Sequence, residues 1–325
     1  MSRGVTSREH AHVSEALTQP PDFPALAKRH PWTRQRILRR IVIPWVFLLP
    51  ILTLHAIVVL IPALQGVYYS FTKWSGVGPA EFIGLENFRK LFFEDPAFGN
   101  ALKNNIIWML FFISVPFALA LITASLLAPI RRGGMVYRTI LFMPYIIPSV
   151  VVASIWRYLL SPRFGMGALL GSLGLSGLNI AFLGRPDTAL LSIAFVDNWH
   201  FWGFLMVLFL TAMQAIPTDL YDAAKVDGAN RWNEFWNVTL PGIRPTVFFM
   251  LMMVMIWSFL VFDYVWLLTQ GGPGGSSDVL GVVIFKNAFR SFNAGYAAAQ
   301  GMTISMFAGA VVLLFVFLRR RGWDI

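Results

Sequence analysis

The chain has 325 residues, of which 57% are hydrophobic and 13% charged, against the roughly 45–50% and about 25% of a soluble globular protein. One soluble core is thereby excluded, and the lack of any cysteine excludes a disulfide framework, a thiolate nucleophile and a cysteine-ligated metal. The net charge of +10 is informative only through where the 26 basic residues fall, and eight of them precede residue 41.

Residues 1–40 are polar, mixed in charge and proline-containing, and end in Lys28-Arg29-His30 and the basic stretch 34–40. They read as a disordered cytoplasmic tail with a polybasic segment against anionic membrane lipid. A cleaved signal peptide does not fit, because 32 uncharged residues follow this leader, where an apolar stretch of about 7–15 near the start is required. Glu9, His10 and His12 imitate a metal set but lack further ligands, so no metal site is assigned.

Stretches free of Asp, Glu, Lys and Arg run over 41–72, 104–130 and 139–156. Residues 188–213 are apolar apart from Asp197, 245–269 apart from Asp263, and 291–318 without interruption. Each can fill about 30 Å of hydrocarbon, which takes about 20 residues of helix. Runs such as Ala310-Val311-Val312-Leu313-Leu314-Phe315 do not alternate as barrel strands must. The expected fold is an all-α integral membrane protein: a six-helix transmembrane domain over 41–318, with tails at 1–40 and 319–325. With the amino terminus inside, 17 basic residues fall on inner segments and nine on outer ones, so both termini are expected to be cytoplasmic. Topology then accounts for the charge, and no nucleic-acid partner is needed.

The connection over 218–241 is too long for a plain turn. Thr218 or Asp219 can cap a short helix after Pro217, Gly228 can end it in a left-handed conformation, and a second helix over 230–239 would carry Trp232, Phe235 and Trp236 on one face before Pro241 closes it. Ala223 and Ala224 offer a small surface that another backbone can approach, which suits docking into a groove. The competing reading is a surface hairpin that merely joins two spans.

Asp197 and Asp263 are the acidic residues inside spans. Asn198, Trp199, His200 and Trp202 surround the first, and Trp257, Ser258, Tyr264 and Trp266 flank the second. Indole faces stack on sugar C–H surfaces and carboxylates accept from hydroxyls, so Asp197, Asn198, Trp199, Trp202, Trp257, Ser258 and Asp263 are candidates for a carbohydrate path. An interfacial aromatic belt is the competing reading. Pro44, Pro62, Pro116, Pro144 and Pro148 are expected to be kinks held by static packing. None of the six lysines follows a glycine, so the chain carries no Walker A loop, and no catalytic constellation is recognisable.

Asp222-Ala223-Ala224, Gly228, Val238 and Leu240-Pro241 together resemble the cytoplasmic signature of binding-protein-dependent ABC importer permeases. That signature is Glu-Ala-Ala, three residues, Gly, nine residues, Ile, one residue, Leu-Pro; only Asp222 and Val238 depart from it. Phe82-Ile83-Gly84-Leu85-Glu86-Asn87-Phe88, Arg138-Thr139-Ile140-Leu141-Phe142-Met143-Pro144 and Leu268-Thr269-Gln270-Gly271-Gly272-Pro273 are similar to the maltose-type sugar branch. The resemblance implies a permease subunit, not an enzyme, in the inner membrane. It implies import of a di- or oligosaccharide, with Asp222, Ala223, Ala224, Gly228, Leu240 and Pro241 coupling the chain to a separate ATPase. It further implies a second permease chain in a heterodimer, two copies of a P-loop ATPase holding ATP and Mg, and an extracytoplasmic solute-binding protein, with no cofactor in this chain. Two alternatives stay open: a secondary transporter driven by an ion gradient through Asp197 and Asp263, and an ABC permease for a glycerophosphate-type solute.

Overall fold

The computed structural model describes residues 38–321 apart from 131, 176 and 178. The expected tail over 1–40 lies almost wholly outside the described residues, as does the end of the 319–325 tail. The chain forms two units, 1–62 and 63–325. Among the described residues of the first, the apolar side chains point outward; Phe47 is 79% and Ile51 64% exposed. A helix that is apolar all round and buries nothing belongs in lipid.

Helix α1 (Ile43–Ser70) is the first span. A short antiparallel pair, β1 (Thr72–Lys73) with β2 (Glu81–Phe82), leads to the amphipathic α2 (Glu86–Phe93). Helix α3 (Pro96–Leu127) begins eight residues before the uncharged stretch that sequence reading took for its start. The reason is local: Asp95 Oδ1 accepts from Ala97 N at 2.9 Å and Phe98 N at 3.1 Å, and Pro96 occupies the first turn, where its missing N–H costs nothing.

The expected single span over 139–156, kinked at its prolines, is instead two helices, α4 (Gly134–Ile146) and α5 (Ser149–Leu159), bent by 92°. Ile147 and Pro148 between them are extended, with ψ of 130° and 138°. A proline drives its predecessor out of the helical region and has no N–H for the helix ladder, so the static-kink expectation is corrected here to a full break. After α6 (Met166–Ser172) comes α7 (Ala189–Gln214).

Helices α8 (Thr218–Val226) and α9 (Arg231–Glu234) follow, the latter continued by helical turns at Phe235–Thr239 and Leu240–Gly242. Then come α10 (Arg244–Leu260), α11 (Asp263–Leu268), α12 (Leu280–Phe285) and α13 (Ala294–Arg320). Among the described residues five helices are long and apolar enough to span, α10 and α11 counting as one, and the α4–α5 pair would make a sixth.

Lipid tails are as apolar as leucine, so close packing must hold the spans together. The contact of α7 with α4 shows how. A Cβ on Gly203 would lie 2.1 Å from Leu141 O, so glycine is required for the backbones to meet. Helices α3 and α7 interlock through buried Phe117 and Phe209, whose rings meet edge to face at 5.0 Å.

Candidate functional site

Breaks in spans free backbone carbonyls that lipid cannot satisfy, so side chains must. At the first break His200 Nε2 donates to Ile147 O at 3.0 Å, which fixes the proton on Nε2. At the second, between α10 and α11, fully buried Asn105 donates from Nδ2 to Ser258 O at 2.6 Å and accepts at Oδ1 from Leu280 N at 2.8 Å. Both breaks are thereby pinned, and a cavity of about 360 Å³ opens between them. That volume lies within the roughly 300–1,000 Å³ of small-molecule sites.

Trp108 and Phe112 of α3, Tyr145 and Ser149 beside the first break, and Asp197, His200 and Phe201 of α7 line the cavity, as do Val254, Trp257 and Ser258 of α10 and residues 260–264 across the second break. Phe201 and Trp257 meet edge to face at 5.4 Å, and His200 stands between Tyr145 at 5.5 Å and Tyr264 at 5.7 Å. Ser258 Oγ donates to Val254 O at 2.7 Å. The Tyr264 hydroxyl, on a residue 5% exposed, has no hydrogen-bond partner among the described residues.

The cavity thus gathers four of the sequence candidates: Asp197, Trp257, Ser258 and Asp263. The other three stand outside its lining. Asn198 is buried with its Oδ1 unpartnered among the described residues, Trp199 packs edge to face on Trp156 at 5.7 Å, and Trp202 packs against the apolar core. Sequence reading passed over Trp108, Phe112, Tyr145, Ser149 and Phe201. No charge marks them, and only the two breaks bring them together.

At the other end of α7 and α10 lies the 218–241 segment. Helix α8 has Pro217 at its N-cap with no side-chain cap, so the expected capping by Thr218 or Asp219 is corrected; proline's preset φ starts the helix instead. Its C-terminus closes with Ala229 N donating to Ala224 O at 2.9 Å and Gly228 N to Lys225 O at 3.0 Å, with Gly228 at φ +78°. That is the paired-bond closure favoured by a left-handed glycine. Asn230 Oδ1 then caps α9 by accepting from Asn233 N at 2.9 Å.

Pro241 does not close the helix as expected. It sits inside the turn Leu240–Gly242, and the chain leaves the helix at Ile243. The two helices are joined by Tyr221 and Thr239, whose hydroxyls lie 3.0 Å apart. Asp222 pairs with Lys225 at 3.0 Å on the surface. Ala223 and Gly228 are exposed and Ala224 half-buried, while Trp232 and Trp236 meet edge to face at 5.6 Å with both exposed.

A third constellation stiffens the loop between α11 and α12. Asn104 Nδ2 donates to Ser276 O and Asp278 O, both at 2.8 Å, and Lys286 Nζ meets Asp278 Oδ1 at 2.6 Å. Burial pushes the Asp278 carboxyl above its usual range, with Lys286 pulling the other way.

Residues 116–320 match the family described as "Binding-protein-dependent transport system inner membrane component". The chain is 35% identical over 277 residues to the probable ABC transporter permease protein YurN of Bacillus subtilis, covering 84% of this chain and 94% of that one. It is 34% identical over 319 residues to the diacetylchitobiose uptake system permease protein NgcF of Streptomyces coelicolor, covering 94% and 89%. A solved bacterial ABC transporter that imports the acidic polysaccharide alginate superposes with a TM-score of 0.79 at 26% identity, covering 88% of this chain and 98% of that one. The chain belongs to the family of inner-membrane components of binding-protein-dependent transport systems.

Proposed function

We propose that the chain is the permease subunit of an ABC importer for a sugar, coupled to a separate ATPase through residues 218–241. The observation that carries this reading is mechanical. The exposed α8 joins two of the helices that line the cavity, reaching Asp197 about 25 Å along α7 and Ser258 about 21 Å along α10. The linking unit is stiff: Tyr221 is bonded to Thr239, and a Cβ on Gly242 would meet Ile216 Cδ1 at 2.7 Å. Displacement of α8 by an ATPase closing on ATP and Mg would therefore move both walls of the cavity together, as alternating access requires.

In this reading Asp222, Ala223, Ala224 and Gly228 form the docked surface, with Leu240 and Pro241 setting the return to α10. The chain sits in the cytoplasmic membrane with both termini inside, pairs with a second permease, and receives sugar from an extracytoplasmic binding protein. Asp197, Trp257, Ser258 and Asp263 contact the sugar. Membership in a binding-protein-dependent family disfavours the ion-gradient alternative. The glycerophosphate alternative is disfavoured because no Lys or Arg lines the cavity among the described residues.

The test is purification of the tagged chain in mild detergent beside a Gly228→Asp variant. Recovery of a P-loop ATPase and a second permease with the parent, and loss of the ATPase with the variant, is expected. Normal uptake by the variant would sink the docking assignment.

A further inference from the structure

Neither Asp197 nor Asp263 has a hydrogen-bond or ion-pair partner among the described residues, although both line one cavity. Asp197 is half-buried and Asp263 exposed, so both carboxylates are free to meet a ligand. Two like charges that share a cavity repel each other, so such a pair persists where it serves a ligand. The remaining polar lining sharpens the point. Ser258 Oγ is spent on Val254 O and His200 Nε2 on Ile147 O, while Tyr264, another lining residue, keeps a buried hydroxyl with no partner among the described residues. Among the described residues the unspent polar groups of the lining are therefore two carboxylates, the hydroxyls of Tyr145, Ser149 and Tyr264, and the indole N–H groups of Trp108 and Trp257, and only the carboxylates among them carry a full charge. The opposing electrostatic feature is the N-terminus of α5 at Ser149, worth about half a positive charge. Two carboxylates outweigh it.

We propose that Asp197 and Asp263 make this cavity selective by charge, admitting sugars that carry a protonated amine in preference to neutral ones and excluding acidic ones. The inference rests on the sugar-permease reading and narrows it to a substrate class. The ammonium would sit between the carboxylates, the Tyr264 hydroxyl would donate to a sugar oxygen, and the rings of Trp108 and Trp257 would cover the apolar sugar faces. A sugar carboxylate or phosphate would instead meet two like charges in a wall of low dielectric.

The test uses the full transporter complex in lipid nanodiscs and three disaccharide probes: one of glucosamine units, its neutral N-acetylated counterpart, and one containing glucuronate. Quenching of tryptophan fluorescence reports occupancy, since Trp108 and Trp257 line the cavity. The amino sugar is expected to bind at least about tenfold more tightly than the acidic one, with the neutral one between. In Asp197→Asn/Asp263→Asn that ratio should fall toward one; being a ratio within one protein, it is insensitive to the amount of folded complex. Equal binding of neutral and acidic probes by the parent would overturn the charge inference and leave the sugar reading standing. Failure of all three to bind would remove the sugar reading, and the inference with it.

Discussion

A tryptophan that lines a cavity and one that packs between helices differ in what their loss does. Trp257 stands in the cavity wall edge to face with Phe201, whereas Trp199 rests on Trp156 outside it. Trp257→Ala is expected to raise the half-saturating sugar concentration for uptake about tenfold, as loss of a stacking contact of about 1.4 kcal/mol would. Trp199→Ala is expected to reduce the amount of assembled transporter instead, with the concentration dependence little changed. Kinetics normalised to immunoblotted protein separate the two, and an unchanged half-saturation in the Trp257 variant would remove that side chain from the path. At this scale the sequence was legible where chemistry interrupts apolar monotony: Asp197 and Asp263 stand out because charge is costly in a span. Trp108, Tyr145 and Phe201 were not legible. An aromatic residue in an apolar helix looks the same whether it meets a ligand, a lipid or a neighbour.

Elements show the same division with a structural cause. The closure of α8 was readable, because a glycine four residues past Ala224 is what a left-handed helix end needs. Of the two breaks that build the cavity, one has a visible agent in Pro148, but a proline in a membrane helix kinks more often than it breaks. The other, at Val261-Phe262, contains neither proline nor glycine and is sustained from outside by Asn105, 153 residues from the carbonyl it satisfies. A contact across that separation leaves no local mark. The loop that follows carries its own test. Asp278 is buried and paired with Lys286, which is 29% exposed. Lys286→Met should destabilise the complex by about 2–3 kcal/mol, at the low end for a buried pair because the lysine still reaches water. Burial already raises the Asp278 pKa with the lysine present. The variant should hold that proton more tightly still, so its deficit is greatest at neutral pH and shrinks as pH falls into the usual carboxylate range. Thermal denaturation of parent and variant at two pH values reads both the size and the sign. A deficit that grows on acidification would contradict the buried-carboxylate account.

For the molecule as a whole, the 92° bend between α4 and α5 decides the topology. If the pair crosses the membrane as one broken span, there are six crossings and the termini share a face. If it re-enters, there are five and they do not. The charge pattern favours the first, since six crossings place 17 of 26 basic residues inside. On the proposed reading, with the amino terminus inside, the same parity puts the exposed α8 on the face where the ATPase would dock and the cavity's two breaks nearer the opposite face. The chain has no native cysteine, so single cysteines report side without background. Val77 (83% exposed) lies between α1 and α3, Arg163 follows α5, and Val226 (88% exposed) ends α8. With a membrane-impermeant maleimide, Val77→Cys and Arg163→Cys are expected to react in intact cells, and Val226→Cys only after permeabilisation and less when the ATPase is bound. Arg163→Cys reacting only after permeabilisation while Val77→Cys reacts in intact cells would make the bent pair re-entrant, since α3 alone would then cross between them. The amino and carboxyl termini would then lie on opposite faces, and the pathway would have to be rebuilt around a hairpin in place of a broken span.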